Sequence, residues 1–213
     1  MEGIYLVTDA SACTHHLLET IVAKAVQAGI SCVQLREKHL DTRSFLARAQ
    51  GLKTILAPAR IPLIINDRVD IALAVGADGV HLGQTDMPYS MARRLLGPRA
   101  LIGLSVETWE DVVAAQDLAL DYLGVSPIFP TPTKTDTKAP WGLDGLARIK
   151  AYSRHPLVAI GGLNAKNTAP VIRAGAHCIA VVSAVCSALD PFGAARELCA
   201  QFENARPSQE TLP

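Results

Sequence analysis

The chain has 213 residues, of which 49% are hydrophobic, and its 20 acidic and 20 basic residues cancel. That balance excludes a global electrostatic footprint for nucleic acid or a membrane surface, so a charged ligand must meet a local cluster. No run of about 18 apolar residues predicts a membrane span, and the length suits one domain.

Strand-like and helix-like segments alternate from end to end. Ile4–Thr8 reads as a strand, and Leu17–Ala28 as a helix closed by Gly29. Cys32–Leu35 is the second strand and Arg43–Leu56 the second helix. Leu63–Ile65 and Val69–Val75 form the third pair, Gly79–Leu82 and Tyr89–Leu96 the fourth. Leu101–Leu104 and Trp109–Leu118 follow, then strand Tyr122–Val125. A long loop, Ser126–Trp141, leads to helix Leu143–Tyr152. Leu157–Ile160, Ala169–Ala174, His177–Val182 and Pro191–Phe202 complete eight strand–helix units.

The strands are continuous apolar runs, as buried parallel strands are. An open doubly wound sheet is the rival architecture. Eight units and glycine-bearing or hydroxyl-bearing turns after strands seven and eight favour an α/β (β/α)8 TIM barrel, with a single catalytic domain at 1–205. The polar end, 206–213, reads as a flexible tail. The loop Ser126–Trp141 exceeds ordinary connection lengths, which marks it as functional or mobile.

The start, Met1-Glu2-Gly3-Ile4-Tyr5, has neither the basic opening nor the long apolar core of a secretion signal. The five cysteines are odd in number, have no C-x-x-C pair and read as reduced cytosolic thiols. Together these predict a cytoplasmic protein. The six histidines show no metal-ligand spacing, and His81 reads as a structural imidazole. Dinucleotide, Walker and nucleophile-elbow motifs are all missing.

Barrel active sites lie at the C-terminal ends of the strands. Gln34, Arg36 and Lys38 follow one another at alternate positions, so an amide and two cations can share a face. The alternative is a solvated charged loop. Asp67 follows strand three and Asp86 follows strand four, on adjacent strands. Two carboxylates beside a phosphate-binding region suit Mg²⁺, which takes oxygen ligands and keeps waters. Alternatively, Asp67 caps the helix that starts near Val69. Ser105 ends strand five with no base in view. Thr131, Thr133, Lys134 and Lys138 lie in the long loop and suit an anion. The turns at Gly161-Gly162 and Val182-Ser183 can cradle a phosphate with backbone N–H groups. No nucleophile–base pair is evident. The set points to positioning and charge stabilisation of a phosphorylated leaving group.

The chain resembles the thiamine phosphate synthase family over nearly its whole length. The resemblance runs through Tyr5-Leu6-Val7-Thr8-Asp9, Gln34-Leu35-Arg36-Glu37-Lys38, Ile65-Asn66-Asp67 and Gly79 to Asp86. It continues through Pro127 to Lys134, Ile160-Gly161-Gly162 and Val182-Ser183-Ala184. It implies a transferase that joins a hydroxymethylpyrimidine diphosphate to a thiazole phosphate, giving thiamine phosphate and pyrophosphate with Mg²⁺. By the same resemblance, Asp67 and Asp86 hold the metal. Gln34, Arg36, Lys38, Asn66, Ser105 and Lys134 meet the pyrimidine diphosphate, with Arg36, Lys38, Ser105 and Lys134 as the catalytic set. Thr131, Thr133, Gly162, Val182 and Ser183 meet the thiazole phosphate. The implied mechanism is dissociative, through a pyrimidine methyl cation, and needs no base. Its partners are small molecules, with no nucleic acid or membrane; a homo-oligomer is left open.

One position departs. Family members often carry a histidine two residues after the strand-five serine; this chain has Glu107. A carboxylate facing a diphosphate would repel it, so Glu107 is expected to point away. Two other readings compete: a thiazole tautomerase-like isomerase and a non-catalytic thiamine-phosphate-binding barrel. The first would want an acid or base, and the second would be free to lose leaving-group residues.

Overall fold

The computed structural model describes residues 2–131, 133 and 138–206. Eight parallel strands close on themselves in chain order: β1 (Gly3–Val7), β2 (Cys32–Leu35), β3 (Leu63–Asn66), β4 (Gly79–Leu82), β5 (Leu101–Val106), β6 (Tyr122–Val125), β7 (Leu157–Ile160) and β8 (Cys178–Val181). The seam is β8 against β1, with Tyr5 opposite Ala180. This is the expected TIM barrel.

Around it lie α1 (Leu18–Ala28), α2 (Thr42–Leu56), α3 (Val69–Val75), α4 (Tyr89–Leu96), α5 (Trp109–Ala115), α6 (Gly142–Tyr152), α7 (Thr168–Arg173), α8 (Ser183–Cys186) and α9 (Pro191–Ala205). Local chemistry sets their ends. Gly29 closes α1 in the left-handed region at φ 98° and returns its N–H to Ala25 and Val26. Asp41 caps α2 through Ser44 N at 3.0 Å. Thr108 and Asp111 form a capping box on α5. Among the described residues no helix is long and apolar enough to cross a membrane.

Several boundaries differ from the sequence reading, most by a single residue, and three differences stand out. The single turn α8 was not expected, because four residues leave no periodicity. β5 runs on to Val106, so Ser105 belongs to the strand. α5 stops at Ala115 rather than Leu118. The expected tail opens with Arg206, which pairs with Glu2 at 2.5 Å; the rest of the tail lies outside the described residues.

Each strand is buried on both faces. One face packs under the helices, with Ile4, Leu6, Val33 and Leu35 in the larger apolar cluster. The alternate face fills the barrel, with Tyr5, Val7, Cys32, Ile64, Tyr122, Val158 and Cys178 in a separate cluster. Small residues make room for large ones inside, as a narrow barrel requires. A Cβ on Gly103 would lie 2.1 Å from Tyr122 Cζ, and one on Gly124 would lie 2.8 Å from His81 Cε1. Tyr122 is fully buried and cannot retreat. Gly103→Ala is therefore expected to destabilise the fold by on the order of 3 kcal/mol. Thermal unfolding checks this: a drop of roughly 10 °C is expected for a chain of this size, and an unchanged midpoint would contradict the packing.

Candidate active site

A cavity of about 680 Å³ opens at the C-terminal ends of the strands. It collects nearly every nominated side chain, although these come from seven of the eight strands and the loops behind them.

One wall is charged. Lys38, in the loop after β2, reaches Asp67 Oδ2 at 2.5 Å. Asp67 stands at the end of β3 with φ 60°, a left-handed conformation that aspartate tolerates better than most residues. Its backbone N–H donates to His81 O on β4 at 2.9 Å. The capping alternative for Asp67 does not hold: the cap of α3 is Arg68, and no side chain bonds there. Asp86 turns back so that Oδ2 accepts Gly83 N–H at 2.7 Å. Burial holds the Asp86 carboxyl above the usual carboxylate range, and the neighbouring Asp67 adds to the shift. Two carboxylates therefore share one partly desolvated place, with one lysine against them.

Arg36 lies beside this wall and is fixed by Asp9, at the end of β1, at 3.0 Å. The sequence alone gives Asp9 no role, because an ion pair between loops that follow different strands leaves no spacing signal. Gln34 and Asn66 are buried on β2 and β3 and line the cavity. Ser105 lines it from β5 and bonds to His81 Nε2 at 2.8 Å.

The opposite wall comes from later strands. Gly161 and Gly162 have φ 103° and 66°, which side-chain-bearing residues rarely adopt. A Cβ on Gly162 would lie 2.7 Å from Pro130 O and 2.8 Å from Phe129 Cβ. Glycine is thus required there by the β6 loop itself, in addition to any ligand. Val182 and Ser183, at the turn from β8 into α8, complete this wall with Thr131 and Thr133. Lys138 also lines the cavity. Lys134 lies outside the described residues.

The family profile described as Thiamine monophosphate synthase matches residues 4–185. The chain belongs to the thiamine monophosphate synthase family. A thiamine-phosphate synthase from Albidiferax ferrireducens is 59% identical over 195 residues, covering 92% of this chain and 89% of that one. One from Leptospira biflexa is 54% identical, covering 95% of this chain and 98% of that one. The structure of a thiamine phosphate pyrophosphorylase from Pyrococcus furiosus superposes with TM-score 0.86 at 35% identity, covering 95% and 96% of the two chains. A 3-hexulose-6-phosphate synthase shares the fold at TM-score 0.69 and 18% identity.

Glu107 stands at the rim, between the end of β5 and the Thr108 cap of α5, and is one of the residues that line the cavity. Its backbone N–H is held by Asp111 Oδ2 at 3.0 Å. The negative charge at the start of α5 comes instead from Glu110 and Asp111. Tyr5, His81 and Tyr122 are among the further lining residues that the sequence did not mark as site residues. Tyr5 alternates with Val7 on β1 and Tyr122 with Gly124 on β6, a period-two signal masked in short strands buried on both faces.

Proposed function

We propose that the protein is a transferase that condenses 4-amino-5-hydroxymethyl-2-methylpyrimidine diphosphate with hydroxyethylthiazole phosphate, releasing pyrophosphate and thiamine phosphate. The observation that carries this is one cavity with a lysine–dicarboxylate wall facing a glycine and hydroxyl wall, in a chain of this family. The first wall suits a diphosphate and the second a monophosphate.

Asp67 and Asp86 fit Mg²⁺. Both offer hard oxygen donors, and they stand close enough that Asp67 adds to the raising of the Asp86 carboxyl by burial. Among the described residues no group of three or more His, Cys, Asp or Glu could hold a metal. Two carboxylates match an ion that takes its remaining oxygens from water and phosphate. When bound, Mg²⁺ would neutralise charge on the diphosphate.

The chain's own groups supply the rest. Lys38 and Arg36 stabilise charge that grows on the departing pyrophosphate. Lys134, from the long loop, belongs to the same set. Gln34, Asn66 and Ser105 hold the pyrimidine as its methylene carbon becomes cationic. Thr131, Thr133, Gly162, Val182 and Ser183 hold the thiazole phosphate so that the ring nitrogen faces that carbon. The nitrogen carries no proton, so attack requires no base. The five free cysteines support a reducing, cytoplasmic setting.

Incubation with both substrates and Mg²⁺ tests the reading. Thiamine phosphate and pyrophosphate are expected in equal amounts. Consumption of neither substrate by a folded protein would contradict it.

A further inference from the structure

Five side chains on five strands form one continuous hydrogen-bonded chain across the barrel. Gln34 Nε2 donates to the Tyr5 hydroxyl at 2.9 Å. The Tyr5 and Tyr122 hydroxyls are 3.0 Å apart. Tyr122 OH lies 3.0 Å from His81 Nδ1, and His81 Nε2 lies 2.8 Å from Ser105 Oγ. The His81 ring is stacked on Tyr122, centroids 5.5 Å apart, and Gly103 and Gly124 leave the space that both rings occupy. The chain begins and ends in the cavity, at Gln34 and Ser105.

The distances allow two opposite directions of donation, and the Gln34 end selects one. With the amide nitrogen on Tyr5, the phenol oxygen is already an acceptor, so its single proton goes to Tyr122. Tyr122 then donates to His81 Nδ1, which puts the imidazole proton on Nε2. His81 donates to Ser105, and the serine proton is left for the cavity. Burial holds both phenols well above their ordinary range, so the chain stays protonated.

We propose that this relay orders protons so that Ser105 is a fixed hydrogen-bond donor and Gln34 offers its amide oxygen as an acceptor, selecting an aminopyrimidine over its oxo counterpart. An aminopyrimidine edge pairs an amine donor with a ring-nitrogen acceptor. Replacing the amine by a carbonyl reverses both. A site built to hydrogen-bond one pattern leaves buried groups unpaired with the other, which gives strong rejection. Tyr5, Tyr122 and His81 are therefore positioning residues that act through Ser105 and Gln34. The selectivity rests on the proposed function; the direction of the relay does not.

Two measurements test it. Nitrogen NMR of the imidazoles, without substrates, is expected to show His81 as the neutral Nε2–H tautomer, and Tyr122→Phe is expected to lose that single form. In kinetics, the preference in kcat/KM for the amino over the 4-oxo pyrimidine diphosphate is expected to fall about tenfold or more in Tyr122→Phe. The thiazole phosphate KM should hold, which a general packing defect would not spare. Tyr5→Phe, which cuts the Gln34 anchor, carries the same test if Tyr122→Phe does not fold. An Nδ1–H tautomer in the wild type overturns the direction. An unchanged preference in a folded variant overturns the selectivity. A wild type that makes no thiamine phosphate removes the proposed function and with it the selectivity, while the tautomer still decides the relay.

Discussion

Replacing Asp67 by Ala is expected to lower turnover by about a hundredfold to a thousandfold and to abolish its dependence on Mg²⁺. The magnitude follows from the several kcal/mol that metal neutralisation of a leaving diphosphate contributes, at about 1.4 kcal/mol per tenfold. Asp86→Asn tests the same site from the side of stability. Burial, then Asp67, raises the Asp86 carboxyl, so the folded state holds that proton more tightly than the unfolded chain does. The ionised form at neutral pH thus opposes folding. Below the ordinary aspartate pKa of about 4 the penalty is absent; it is fully present above the raised value. Asp86→Asn keeps an acceptor for Gly83 N–H and removes the charge. It should therefore melt above the wild type at neutral pH, with the gap closing on acidification, while activity collapses. Mg²⁺ should raise the wild-type midpoint and leave the variant unmoved. Near-normal turnover in Asp67→Ala with unchanged Mg²⁺ dependence would remove the metal assignment.

Lys38→Met is the second large effect. If ionisation is the hard step, a group that stabilises the leaving pyrophosphate acts in the transition state more than in the ground state. A fall in kcat of on the order of a hundredfold is expected, with a smaller change in KM for the pyrimidine diphosphate. The Lys38 side chain is 45% exposed, so its pair with Asp67 contributes at most about 1 kcal/mol to the fold. Stability should hardly move. A large rise in KM at constant kcat would instead make Lys38 a simple binding group. Steady-state kinetics on both substrates, alongside thermal unfolding, separates the two.

The barrel was legible because its strands are uninterrupted apolar runs set between helix patterns that end in Gly29, Gly76 and Gly97. Most of the cavity was legible for a simpler reason: polar side chains at strand ends have few other places to go in this fold. What the sequence hid was pairing across strands. Asp9 with Arg36 and Lys38 with Asp67 join residues 27 and 29 positions apart. Tyr5 with Tyr122 joins residues 117 apart. His81 looked structural because it sits in an apolar strand, and only the register against Gly103 shows that its ring turns inward. The end of β5 was hidden too, because Ser105 and Val106 carry no break signal, so the strand runs two residues further than its apolar run.

In the proposed mechanism this pocket breaks the pyrimidine–diphosphate bond before the thiazole attacks. A heavy-oxygen label in the bridge between the methylene carbon and the α-phosphorus tests it most directly. The label is followed with Mg²⁺ and a thiazole phosphate analogue whose ring nitrogen is replaced by carbon. Ionisation and return should move the label into the non-bridging α-phosphate positions, at a rate lowered by Lys38→Met. A label that stays in the bridge, in a protein that turns over the native pair, would contradict the account.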